Sequence, residues 1–193
     1  MVGIVSVHIP KTAGSSFRTL LTQIYGNRLA LDYGGEVTGL GSAEVVHGHF
    51  AATKYLERFP DAKIITWLRH PVERVISYYY YWLRTERHGN PNHDYFLDNK
   101  LSLLEFARFP PLRREIASYI EGVDPGRFFF VGIVERYGCD VQKLAELLDW
   151  PEILAVRENV TLDKPDVSLE LREEIARLHS DEMALYRRFA EKI

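Results

Sequence analysis

An internal disulfide is closed to this chain of 193 residues: its one cysteine, Cys139, has no internal partner, so nothing in the sequence asks for an oxidising compartment. Placed just ahead of Val141 and Leu144, that thiol reads as a small buried hydrophobe rather than a nucleophile. Long apolar runs are missing as well. None approaches the roughly 20 residues that cross a bilayer, and the run over residues 4–9 is too short for a secretory signal and leads straight into Lys11. A cytoplasmic protein with no transmembrane segment is the simplest expectation. Positive charge is not in surplus: 24 Lys and Arg against 27 Asp and Glu leave a formal charge of −3, which argues against a nucleic-acid partner. Internal repeats and low-complexity segments are absent. So is the Walker A spacing, and no apolar strand ends in the Asp that would help hold magnesium.

What is present is an ordinary globular composition, 46% hydrophobic and 26% charged, with 11 Tyr and 10 Phe. That length supports one sizeable core, and a single domain over residues 1–193 is the default. Residues 3–9 read as a buried strand. The spacing of Phe17, Leu20, Leu21 and Ile24 predicts a helix after it, ended by Gly26-Asn27. Residues 32–43 read as Gly-rich loop, residues 44–47 as a short strand, residues 51–59 as a short helix and residues 62–68 as another central strand.

Pro71 opens a further helix at the position where a missing N–H costs least, with Val72, Ile76, Tyr79 and Leu83 on one face and Glu73, Ser77, Tyr81 and Arg84 on the other. Residues 85–99 read as an exposed polar loop, and residues 101–106 and 113–120 as helices broken by Pro110-Pro111. Residues 127–134 form an apolar strand, and Val141, Leu144, Leu147 and Leu148 mark another helix. Ser168 caps a last helix whose stripe runs through Leu171, Ile175, Leu178, Tyr186 and Phe189. Strands alternating with helices predict an α/β fold with a central, mainly parallel sheet, in which ligands bind beyond the carboxyl ends of the strands.

Three segments at predicted strand ends carry chemistry. Lys11-Thr12-Ala13-Gly14-Ser15-Ser16 offers a cation, small residues that let backbone N–H groups approach a ligand, and hydroxyls at a helix start, which together suit phosphate or sulfate. An ordinary helix cap with a solvated Lys is the competing reading. Arg69 ends one strand and Ser77 lies about two helical turns further on; a guanidinium fork and a hydroxyl suit a phosphate monoester. The alternative pairs Arg69 with Glu73 and leaves Ser77 in solvent, and Arg74 is open to reading as a surface charge. His47-Gly48-His49 places both imidazoles on one face of an extended segment. One could serve as general base, the pair could join His88 or His93 around zinc, or both could be structural.

Taken together these residues resemble the sulfotransferases that use 3′-phosphoadenosine 5′-phosphosulfate (PAPS), most nearly the carbohydrate group of heparan sulfate and uronyl 2-O-sulfotransferases. The matching pieces are His8-Ile9-Pro10-Lys11-Thr12-Ala13-Gly14-Ser15-Ser16, His47-Gly48-His49, the stretch from Arg69 through Ser77 to Tyr80, and Phe130-Val131-Gly132-Ile133-Val134-Glu135-Arg136-Tyr137. They stand in family order over about two thirds of the chain.

The resemblance implies a P-loop-like three-layer fold. It implies that Lys11, Thr12, Ala13, Gly14, Ser15 and Ser16 hold the 5′-phosphosulfate and that Arg69 and Ser77 hold the 3′-phosphate. It further implies that His49 is the general base with His47 assisting, that Lys11 neutralises the leaving phosphate, and that no metal is required. The acceptor would be a hydroxyl of a carbohydrate or glycoconjugate. Residues 84–120, where acceptor binding would be expected, show no match, and Arg84, Arg87, Arg108, Arg113 and Arg114 give only a local basic surface. A P-loop-type small-molecule kinase and a non-catalytic nucleotide- or glycan-binding module are the rival readings.

Overall fold

A computed structural model describes residues 1–35, 37–151 and 165–190. Contacts divide the chain into two compact units, Met1–Arg69 with Ile116–Val160, and His70–Glu115 with Thr161–Ile193.

The first unit is built on five strands: β1 (Ile4–Val7), β2 (Leu29–Asp32), β3 (Val45–Gly48), β4 (Lys63–Leu68) and β5 (Phe128–Ile133). They lie in the order β2-β3-β1-β4-β5, and every pairing is parallel. The expected mainly parallel α/β sheet is therefore present. Every residue of β1 and β3 is buried, as is all of β4 beyond Lys63, which is why these strands read as near-continuous apolar runs. The edge strand β2 buries only Ala30 and Asp32, and it falls where the sequence signalled no strand.

Helix α1 (Gly14–Tyr25) packs Phe17, Leu20 and Leu21 into a core shared with Val45, Ile65, Trp67, Phe130, Tyr137, Val141 and Leu144. Gly26 ends it, its N–H donating to the Thr22 carbonyl. Residues 51–59, expected as a helix, hold only the 3₁₀ turn Ala52–Tyr55. After β5 the chain enters a helix over Tyr137–Leu147, in which Cys139 is exposed, contrary to the reading of a buried thiol, and Leu147 also faces solvent. In the last strand Gly132 leaves room for the Trp67 ring, from which a Cβ there would lie only 2.4 Å away.

The second unit is helical. Its first helix (Pro71–Arg84) opens on Pro71 as expected and buries Val72, Val75, Ile76 and Trp82, but Leu83 is exposed. Arg74, open to reading as a surface charge, is fully buried: it pairs with Glu115, reaches Glu182 at 3.0 Å and donates to the Leu112 carbonyl at 3.3 Å. Glu73 pairs with Arg172, and Ser77 is buried rather than solvated.

The segment expected as a polar loop contains a helix over Pro91–Asp98. Its turn-like Asn90-Pro91-Asn92 is a cap, the Asn90 side chain accepting from the N–H groups of Asn92 and His93. His93 is buried, with Nε2 at 2.9 Å from the Trp82 carbonyl. Ser168 does cap a helix, by accepting from the Leu171 N–H, but the expected final helix is two, Leu169–Leu178 and Ser180–Ala190, interrupted at His179.

Candidate active site

The sheet topology of the first unit sets the site. Strand β1 is central, with β3 on one side and β4 on the other, so the residues following these three strands emerge side by side. His8 follows β1, His49 follows β3 and Arg69 follows β4.

The segment from β1 to α1 is backbone under strain. Lys11 and Ala13 both adopt left-handed conformations, φ 66° and 62°, at a cost of order 1–3 kcal/mol each. Such turns present successive N–H groups to one concavity and are used to bind anions. Ala13 precedes the first residue of α1, provides no side-chain cap, and the first turn of the helix contains no acid. The positive end of the helix thus has no carboxylate of its own against it. Lys11 and Ser15 are half-buried and Ser16 is buried. The Thr12 hydroxyl donates to the Ile9 carbonyl at 2.8 Å, so its proton is committed to holding the loop. The Arg69 guanidinium donates to the Lys11 carbonyl at 3.3 Å, which ties the end of β4 to the turn after β1.

Beside this loop lies a cluster of three imidazoles. His8 stacks on His49 with ring centroids 4.2 Å apart and on His47 at 5.3 Å. His47 is buried, its Nδ1 at 2.8 Å from the Ser6 hydroxyl on the neighbouring strand, and Nε2 has no hydrogen-bond partner among the described residues. Tyr33 closes one side, its hydroxyl 2.9 Å from His8 Nδ1 and its ring edge-on to His49 at 4.9 Å.

His49 itself is exposed. Its Nδ1 lies 2.6 Å from the His8 carbonyl, which can only accept, so Nδ1 carries the proton and the Nε2 lone pair is left basic. Burial lowers the His49 pKa below the ordinary imidazole value, partly countered by that same carbonyl. His47 is held down to about 3 by burial first and then by His49, and His8 to about 2 by burial first and then by its histidine neighbours. Burial raises the Tyr33 phenol to about 12. At neutral pH the cluster is therefore uncharged, and its one exposed member, His49, keeps an unprotonated Nε2.

A solved structure shares this architecture. The crystal structure of a sulfotransferase from Alicyclobacillus acidocaldarius superposes with a TM-score of 0.60 at 17% identity, over 100% of this chain and 97% of that one. The fold is one a sulfotransferase uses. Mouse sulfotransferase SULT7A1, solved in complex with PAP, is similar more loosely, with a TM-score of 0.47 and 14% identity over 94% of this chain and 65% of that one, too low a score to establish a common fold. No protein-family model and no curated protein matches the chain.

The residues expected from sequence thus divide between the two units. The first unit gathers Lys11, Thr12, Ala13, Gly14, Ser15, Ser16 and Arg69, and sets His47 and His49 around His8; Ser77 belongs to the second unit. Among the described residues no group of three or more His, Cys, Asp or Glu is arranged to hold a metal, and no helix is long and apolar enough to cross a membrane. Sequence reasoning quoted His8 as part of a motif but gave no role to it or to Tyr33. The available signal for His8 was positional: it follows β1 as His49 follows β3.

Proposed function

We propose that this chain is an enzyme transferring the sulfuryl group of PAPS to a hydroxyl of a carbohydrate or glycoconjugate. The observation that carries the reading is the pairing of a strained, acid-free anion loop with an exposed neutral imidazole whose Nδ1–H is already spoken for. The fold shared with the bacterial sulfotransferase supports it.

In this reading Lys11 and the backbone of residues 12–16 hold the 5′-phosphosulfate, where the donor supplies the sulfuryl group. Arg69 and Ser77 hold the 3′-phosphate; their spacing in the chain and the resemblance of that segment support this assignment. His49 Nε2 takes the acceptor's hydroxyl proton as the oxygen–sulfur bond forms, and Lys11 balances the charge left on the departing phosphate. His47, buried beneath, contributes by keeping the cluster neutral and packed rather than by touching the acceptor.

The test is transfer from PAPS to a panel of polysaccharides (heparosan, chondroitin, dextran), read by mass spectrometry as a gain of SO₃. Transfer to at least one of them, lowered roughly 10²- to 10⁴-fold in turnover by His49→Ala with bisphosphate affinity kept, is the expected result. Phosphoryl transfer from ATP instead would favour the kinase, and binding of the bisphosphate without transfer would favour a non-catalytic module.

A further inference from the structure

Three imidazoles packed at the ends of two neighbouring strands need an explanation beyond the base itself. His8 is the residue that touches everything around it. Its ring lies so close to α1 that a Cβ on Gly14 would fall 1.8 Å from His8 Cδ2 and Nε2. The same ring stacks on His49 at 4.2 Å with the planes 29° apart, and on His47 at 5.3 Å. Its carbonyl receives the His49 Nδ1–H, and its own Nδ1 is 2.9 Å from the Tyr33 hydroxyl. The backbone is fixed from the other side too, since the His8 N–H donates to the Gly48 carbonyl at 2.8 Å and the His49 N–H donates to the Asp32 carbonyl at 2.8 Å.

We propose that His8 is a positioning residue, a spacer wedged between the Gly14 end of the anion loop and the His49 ring that sets the base in register with the loop. The inference rests on the proposed role of His49. Its logic is geometric. The carbonyl alone fixes one atom of the His49 ring and leaves rotation about the Cβ–Cγ bond to be settled by what lies against the ring face. On that side the flat His8 ring supplies the contact, and Tyr33 holds His8 from its own edge. Gly14 has no side chain because the His8 ring occupies the space one would need. The position of the base is thereby linked to the position of the loop through a single side chain.

Neutrality is part of the design. The rings of His8, Tyr33 and Tyr119 face His49, His47 and His49 act on one another electrostatically, and Arg18 and Lys11 are the cations acting on His8. Burial first, and then the repulsion of its neighbours, keep His8 unprotonated. His49 can then gain a proton without a charged ring stacked against it.

The experiment reads the free protein and the reaction separately. Long-range proton–nitrogen NMR follows the tautomer and titration of His49 in wild type, His8→Ala, His8→Asn and His8→Phe. Turnover with PAPS and whichever polysaccharide of the panel is sulfated follows catalysis. Loss of the ring in His8→Ala and His8→Asn should let water reach the face of His49 that His8 covers, move its titration upward toward the ordinary imidazole value, and lower kcat roughly 10²-fold while the KM for PAPS holds. His8→Phe restores the flat contact and should recover most of kcat and the low titration.

If His8→Ala does not fold, His8→Asn against His8→Phe decides the matter. A merely structural His8 would scale activity and leave the His49 resonances where they are; that result, or a Phe variant no better than Asn, overturns the proposal. Resonances that move as expected while His49→Ala turns over normally would instead sink the base assignment and leave the positioning contact standing.

Discussion

Acid should destabilise this protein through two buried imidazoles, and the loss can be sized from the structure. His47 and His8 are held neutral down to about 3 and about 2, against an ordinary 6.5, chiefly because both are buried. In the unfolded chain both titrate normally, so below 6.5 the unfolded state binds protons that the folded state refuses. The folded values are depressed; the stabilisation is therefore complete above the unfolded value and is lost as pH falls toward the folded ones. Going from about pH 7 to about pH 5 removes roughly 2 kcal/mol for each residue, or about 4 kcal/mol for the pair. Urea unfolding at the two pH values, followed by tryptophan fluorescence, measures it. His47→Gln keeps a hydrogen-bonding group opposite Ser6 but cannot take the proton, so its pH-dependent loss should be smaller than that of wild type by about 2 kcal/mol. Equal losses in the two proteins would show that His47 is not held neutral by burial, and the electrostatic description of the cluster would fail with it.

Other consequences are as direct. Arg74→Ala strands the carboxylates of Glu115 and Glu182 around an emptied buried site, and should cost about 3–5 kcal/mol in denaturant unfolding; a loss below about 1 kcal/mol would mean that the pairing is not made in solution. Gly132→Ala drives a methyl into the Trp67 ring and should cost about 1–3 kcal/mol by the same assay, with a shift in Trp fluorescence. Arg69→Ala should weaken adenosine 3′,5′-bisphosphate while barely affecting its dephospho analogue; equal losses in calorimetry would remove Arg69 from the 3′-phosphate. Because burial lowers the His49 pKa, its basic form persists to lower pH and the acid limb of kcat/KM should fall below 6.5. An acid limb at or above that value would contradict the role.

The central strands and the anion loop were legible because their causes are local. An apolar run buried on both faces reads as β1 or β4 from sequence alone, and Lys11 stands at the exit of such a run, the place where the proposed anion loop needs its cation. Strand β2 was not legible, since only two of its four residues are buried and its existence depends on pairing with β3. The helix over Pro91–Asp98 hid behind its own cap: Asn90 and Pro91 are turn formers and also the residues that start a helix. Arg74 looked like a surface charge because its carboxylate partners lie 41 and 108 residues away in sequence. The roles of His8 and Tyr33 escaped for the same reason: they follow from β1 and β2 lying on either side of β3, a fact of sheet order.

The most direct test of the central claim is calorimetric titration of the purified protein with adenosine 3′,5′-bisphosphate, beside ATP with magnesium. The account predicts that the bisphosphate binds tightly, that ATP binds weakly, and that Lys11→Ala loses most of the bisphosphate affinity. Tight ATP binding with weak bisphosphate binding, or no binding of either, would contradict it.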